Sequence, residues 1–555
     1  MGRWAPLLPT PFYKKMQKFF AGKTVKRENF HKICQRLKLP RQEITELLED
    51  KEFSQDYRVL HEVHNYTAQF HANQLVMNCQ IGIQKYTFEH FIEVEFADFD
   101  DEEIARFASN WFAHLDQTTG NRFIQKLKEN SSIRELATNP LLLPLLCLVF
   151  EESGELPSNR LELYKEGLNL LLNKWDARCN IEREQIYKQL SVRHKEDLLS
   201  KIAMLTFERG KYLFNKQEIE QYIASYICNL PGVSTEIDTL QLESIAVLKS
   251  IEAQHGLLVE RAHLIYSFIH PTFHEYFTAR EIVVSSDPQS LEAALKQLVS
   301  HITEKRWREV FLLTVGMLRK ADYLLQLMKQ KVDELLAQDE ELQAFLTCVS
   351  RKFCTVSAAY KPVSVRAFYF DLALVRVLGL VGGTLSLART LDCNFTPDLE
   401  PTLALDLALE HALTLAQVVD RIFDPNRAFE CVLERAIAYA HALEPTLAEA
   451  LQQLKEQLPQ LSGDGKRFKQ WWKANGQTWT EQLRSVMIKH RHIGHNWQFS
   501  GQQREALKQY YDANQLLADC LNSNFYVTRN VRSEIEESLL LPITEISRLD
   551  EPKYC

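Results

Sequence analysis

The stretch "GLLVERAHLIYSF", Gly256–Phe268, continued by "IHPTFHEYFTAREI", Ile269–Ile282, decides how this chain folds. Two short apolar runs flank a polar turn, which is the pattern of a β-hairpin. The proline-led segment after it places Phe273, Tyr276, Phe277 and Arg280 on one helical face. A hairpin attached to helices is the outline of a winged helix.

Toward the N-terminus, Leu161, Tyr164, Leu168, Leu171, Leu172 and Trp175 form one helical stripe, and Leu136–Phe150 is apolar nearly all round. "DFDDEEIARFASNWF" (Asp98–Phe112) supplies acids for the start of an amphipathic helix. Before it, "QLVMNCQIGI" (Gln74–Ile83) and "HFIEVEFADF" (His90–Phe99) read as short strands. Phe12, Met16, Phe19 and Phe20 repeat at helical spacing, as do Phe30, Ile33, Cys34 and Leu37. Beyond Asp287 there is no further strand signal. The segment 345–461 is rich in Ala and Leu, and "LEPTLA" occurs at Leu399–Ala404 and again at Leu443–Ala448, with Pro401 and Pro445 where a first helical turn tolerates proline. "LSGDGK" (Leu461–Lys466) reads as a late linker. The expected fold class is mainly α: a helical multi-domain array with a small α/β remnant and a winged-helix hairpin.

The composition, 45% hydrophobic and 25% charged over 555 residues, is that of a globular protein with several cores. Eleven cysteines lie scattered without a CxxC pair, which gives no support to a disulfide framework or a zinc site and suits a reducing cytosol. The longest apolar runs are too short for a bilayer, which needs about 20 residues. A soluble, cytoplasmic protein is expected, with no membrane partner. The net charge is −8, yet Lys14–Arg41 holds ten basic residues against the single acid Glu28. Lys14, Lys18, Lys23, Lys26 and Arg27 are therefore candidate contacts to nucleic acid, with a solvated helix face as the plain alternative.

Gly22-Lys23-Thr24 spells the end of a phosphate-binding loop, GxxxxGK[ST]. Such a loop needs a glycine five residues earlier and a strand before it. Position 17 is Gln, the preceding residues read as helix, and the Gly-Lys pairs at Gly210 and Gly465 lack the following Ser or Thr. GKT is thus a basic helix connection. No magnesium-binding acid ends a buried strand, since "AFYFD" (Ala367–Asp371) has helical surroundings. His490, His492 and His495 are dense enough to suggest a metal, but no Cys or carboxylate adjoins them in sequence and none is expected. Arg484 and His490 have the Arg, five residues, His spacing of HEPN-type ribonucleases, a spacing too cheap to imply RNase activity. Trp471, Trp472, Trp479, Trp497 and Phe499 read as the core of a helical domain rather than a stacking platform for bases.

Four motifs in order, Asn73–Phe112, "LATNPLLLPLLCLVF", "LELYKEGLNLLLNKW" and "FIHPTFHEYFTAREI", resemble bacterial NACHT-type STAND NTPases from the last strands of the nucleotide-binding core onward. From "EKRWREVFLLTVGML" to "LLLPITEI" the chain is similar to the helical region that follows NACHT domains. "MQKFFAGKTVKRENFHKICQRLKL" resembles the second half of a small helix-turn-helix-like domain that precedes such modules. The resemblance implies vestigial nucleotide contacts at Pro140, near the adenine, and His270, near the β-phosphate of ADP. It puts Gln80 at a sensor position that usually holds Arg. His270 also has a structural reading, as a helix cap or a core hydrogen-bonding group. Only residues 51–70 separate the basic helices from the sensor strand, whereas a core with a phosphate loop needs on the order of a hundred residues or more.

The implied organisation is a basic remnant (10–50), a truncated junction (51–72), the end of a NACHT core with a first helical domain (73–155), a winged helix (156–286), a connector (287–344), an Ala/Leu-rich region (345–460) and a Trp-rich helical domain (461–548). The expected protein is no enzyme and has no cofactor, ADP or ATP being the only candidates. It binds protein partners through its helical array, as a regulator of intact relatives or as a degenerate gene product. Nucleic-acid binding through the basic helices and residual nucleotide binding without hydrolysis are the alternatives.

Overall fold

A computed structural model describes residues 99–549, apart from positions 114, 116, 140–141, 175–190, 231–235, 255–256, 263, 285–287, 357, 379–384, 393, 396–398, 420–424, 460–464 and 524–525. The chain divides into two compact units at Val284/Ser285. The described residues are mainly α-helical, with one three-stranded antiparallel sheet. None of their helices is long and apolar enough to cross a membrane. The strands expected within 74–98 lie outside the described residues.

The first unit opens with α1 (Asp101–Phe112), α2 (Gln117–Glu129), α3 (Ser131–Thr138) and α4 (Leu143–Ser153). Asp100 accepts from the Glu103 N–H while Glu103 reaches back to the Asp100 N–H, a reciprocal cap that fixes where α1 begins. Phe112, Phe123 and Phe150 meet at ring separations of 5.3–5.9 Å and centre this small core. The apolar run Leu136–Phe150 is not one helix. It breaks after Thr138, because residue 139 precedes Pro140, and a residue before proline is driven out of the helical region. The Asn139 backbone is accordingly extended.

Next come α5 (Arg160–Lys174), α6 (Val192–Glu208), β1 (Phe214–Asn215), α7 (Lys216–Ile227), α8 (Ile237–Gln254), β2 (Leu258–Ala262), β3 (Ile265–Phe268) and α9 (Pro271–Val283). The sheet order is β1-β3-β2, with Phe214 opposite Tyr266 and Leu258 opposite Phe268. The helix-strand-helix-helix-hairpin sequence from α6 to β3 is a winged helix. Leu264 takes a left-handed φ of 61° in the turn of the wing. His274, 1% exposed on α9, places Nε2 2.8 Å from the Thr206 hydroxyl and 3.0 Å from the Ala203 carbonyl, and Phe207, Tyr212, Phe214 and Phe268 surround its ring. It therefore fastens α9 to α6 and to the sheet. Along the same seam Arg280 pairs with Glu196 (3.1 Å) and Asp197 (2.7 Å).

Among its described residues the second unit contains helices and no strand: α10 (Pro288–Ser300), α11 (Arg308–Met317), α12 (Asp322–Glu334), α13 (Glu340–Cys354), α14 (Pro362–Leu378), α15 (Ser386–Leu391), α16 (Pro401–Val418), α17 (Pro425–Leu443), α18 (Pro445–Glu456), α19 (Gly465–Arg491), α20 (Gly501–Asn522), α21 (Arg529–Ser538) and α22 (Ile543–Leu549). The two LEPTLA copies each start a helix, α16 and α18, with proline in the first turn. Helix α21 is held at both ends. At its start the Thr528 N–H and hydroxyl donate to Asp322 at 2.9 and 2.7 Å. At its other end the buried Arg366 donates to the carbonyls of Glu536, Glu537 and Leu539 at 2.7–3.0 Å.

Asp371 of "AFYFD" lies inside α14, 3% exposed, facing the N–H groups of Leu387 and Ala388 at the start of α15. Neither carboxyl oxygen closes a hydrogen bond among the described residues. Burial pushes its pKa well up, and those two N–H groups pull the other way. An acid whose folded pKa is raised costs nothing below its ordinary pKa of 3.8 and costs progressively more as pH rises above it. Asp371→Asn is therefore expected to raise the urea midpoint at pH 7 and to leave it unchanged near pH 3, as read by far-UV circular dichroism.

Candidate functional site

Two constellations stand out, one in each unit. In the first, His270 is the N-cap of α9 and Pro271 follows at the first helical position. Its backbone is extended, and Nδ1 accepts from the Thr272 N–H at 3.2 Å while lying 2.7 Å from the Thr272 hydroxyl. An accepting Nδ1 puts the ring proton on Nε2. Burial, and then the charge of Arg261, push the pKa of His270 down to about 4. The ring is neutral at physiological pH and offers one N–H donor. Arg261 reaches from β2 under the end of β3, donating to the Ile269 carbonyl at 2.7 Å, the Phe268 carbonyl at 3.3 Å and the Ser267 hydroxyl at 2.8 Å. A neutral imidazole and a guanidinium beside a helix N-terminus can accept an anionic group. Their own geometry already gives both a structural task.

In the second unit, Asp406 of α16 is fully buried and collects three partners from three helices. Lys352 of α13 lies at 2.9 Å, the Tyr369 hydroxyl of α14 at 2.8 Å, and Arg491 of α19 donates with Nε and Nη2 at 2.7 and 3.0 Å. One turn along α16, Glu410 takes Arg376 at 2.5–2.7 Å, and Arg376 also donates to the His495 carbonyl at 2.7 Å. Burial pushes the Lys352 pKa down against the pull of Asp406. Burial would also lower Arg491, but the bonds and charge of Asp406 hold it up. A small cavity beside the cluster is lined by Phe345, Lys352, Arg376, His492, His495 and Trp497.

Pro140, Gln80, Lys14, Lys18, Lys23, Lys26 and Arg27 lie outside the described residues. Arg484 and His490 do not converge. They are six residues apart on α19, so they project about 120° apart around the helix. Arg484 sits near Arg376 and Glu410, while His490 pairs with Glu444 at 2.6 Å. That pairing also draws His490 away from His492 and His495, and no group of three metal-ligating side chains occurs among the described residues. Trp479 is buried, donates to the Leu454 carbonyl at 2.9 Å and packs with Phe429 and Trp472, which both also meet Phe468, while Trp497 and Phe499 stack beside Phe345. Of the five aromatic residues Trp479 and Phe499 are buried, while Trp471, Trp472 and Trp497 are half-buried. Sequence reasoning missed the Asp406 cluster. Its one signal was a pair of acids, Asp406 and Glu410, spaced one helical turn apart inside an Ala/Leu run.

Residues 160–282 match the family "Winged helix-turn-helix domain C-terminal to NACHT", and residues 447–542 match "NACHT C-terminal Helical domain 2". Both matched families are domains that accompany NACHT modules, and together they support a NACHT-family protein. The first match covers α5 to α9, including His270. The second covers α18 to α21 with Arg491, so the Asp406 cluster ties the matched C-terminal helical domain to the helices preceding it. No curated protein matches the chain significantly.

Two outcomes follow. Asp406→Asn leaves Lys352 and Arg491 buried without their counter-charge, and about 3–5 kcal/mol of stability is expected to disappear in denaturant unfolding. A histidine with a depressed folded pKa gives stability that is complete above its ordinary 6.5 and is lost as pH falls toward 4. His270→Asn keeps a capping side chain but cannot titrate. Its unfolding midpoint is expected to fall less than that of the unaltered chain between pH 6.5 and 4.

Proposed function

We propose that this chain is a NACHT-family regulatory protein that works by binding other protein surfaces and does not itself hydrolyse nucleotide. One observation carries the reading: the character of α8. In DNA-binding helix-turn-helix domains the second helix of the motif presents its N-terminal residues to the bases of the major groove. Here the corresponding stretch, residues 236–243, carries Glu236, Asp238 and Glu243 and no base. It also carries Ile237 and Leu242, which are 81% and 69% exposed. Three carboxylates repel phosphate, and two exposed aliphatic side chains suit an apolar protein surface.

The absence of hydrolysis is supported by the sequence, in which no GxxxxGK[ST] occurs within the 555 residues. Purified protein is expected to release no phosphate from ATP or GTP above the buffer rate; turnover that co-purifies with the chain would overturn this part of the reading. The ten basic residues of Lys14–Arg41 favour a second reading, a regulator that also grips nucleic acid. It requires duplex binding that weakens steeply with salt and is lost when Lys14, Lys18, Lys23, Lys26 and Arg27 are neutralised. Residual ADP binding would use the Nε2–H of His270. A fluorescent-ADP titration in which His270→Ala makes no difference removes that role.

A further inference from the structure

We propose that the N-terminal half of α8 is the docking surface for the chain's own basic segment, Phe12–Arg41. This rests on the protein-binding reading of α8 given above and names the occupant. Ile237 and Leu242 are the two most exposed large apolar side chains among the described residues. They sit in a stretch whose only charged side chains are acids. Two of these acids, Glu236 and Asp238, are exposed at the start of the helix, where carboxylates attract an ammonium or guanidinium.

The occupant follows from charge complementarity. Lys14–Arg41 is the strongly basic part of an acidic chain, and its sequence spaces Phe12, Met16, Phe19 and Phe20, then Phe30, Ile33 and Leu37, at helical intervals. A basic amphipathic segment offers apolar groups to Ile237 and Leu242 and cations to the three acids. Residues 42–98 give it reach, since a stretch of that length covers on the order of 80 Å even when fully helical. In the docked arrangement the segment is withheld from any anionic partner, and release from α8 makes it available.

The test uses the purified full chain and a carbodiimide, which joins a lysine amine to a carboxylate in direct contact without a spacer. Coupling between lysines in 14–38 and Glu236, Asp238 or Glu243, mapped by mass spectrometry and independent of protein concentration, is expected. The double variant Ile237→Ser, Leu242→Ser keeps every carboxylate and alters two exposed positions, so it leaves the fold intact. It is expected to lower that coupling by at least about tenfold. If those lysines couple only to acids elsewhere, or if the double variant couples as well as the parent, the proposal falls. A photo-reactive side chain at position 242 separates this from failure of the underlying reading. Adducts to residues 12–41 support the docking. Adducts to a separate protein with none to 12–41 overturn it while leaving protein binding by α8 standing.

Discussion

The second unit depends on one carboxylate. Asp406 has no access to water and holds the side chains of Lys352, Tyr369 and Arg491, which come from three different helices. Removing charges from water is costly, and their mutual attraction repays that cost only when the geometry is good and the remaining hydrogen-bonding capacity is filled. Both conditions are met: Arg491 presents two N–H groups to the carboxylate, and the tyrosine hydroxyl and the ammonium fill the rest. Apolar packing alone would let Ala/Leu-rich helices slide against one another with little loss. A charged hub allows one register.

The first unit is fixed differently, by caps and a core histidine. His270 starts α9 and His274, four residues on, anchors it to α6, so one short helix carries two imidazoles with unrelated tasks. This bears on the nucleotide contact that family resemblance assigns to His270. The ring's Nδ1 is committed to Thr272, which leaves Nε2–H as the group with which it would meet a phosphate. Arg261 is similarly committed to two backbone carbonyls. Anion binding at this corner would be added to a structural role that stands without it.

Much of the fold was legible in the sequence, for local reasons. Hairpin alternation in Gly256–Phe268, the acidic start of α1 and the prolines at 271, 401 and 445 are signals that act within a few residues, and the structure realises each of them. The division of Leu136–Phe150 into α3 and α4 was signalled by Pro140, but the apolar continuity of the run obscured it. The Asp406 cluster was beyond reach because its members stand at 352, 369, 406 and 491, and an acid in an apolar run looks the same whether it faces water or a lysine. Arg484 and His490 are the converse case. They are close in sequence, yet helical geometry turns them apart.

The proline that opens α16 stands five positions before Asp406, and the helix between them acts as a ruler. Adding or removing one residue after Pro401 would turn the carboxylate by about 100° and leave its cations facing a leucine, Leu405 or Leu407. The second LEPTLA copy marks the contrast. At the positions matching Asp406 and Glu410 it has Ala450 and Leu454, so the two copies share a starting signal and differ in what they measure out from it.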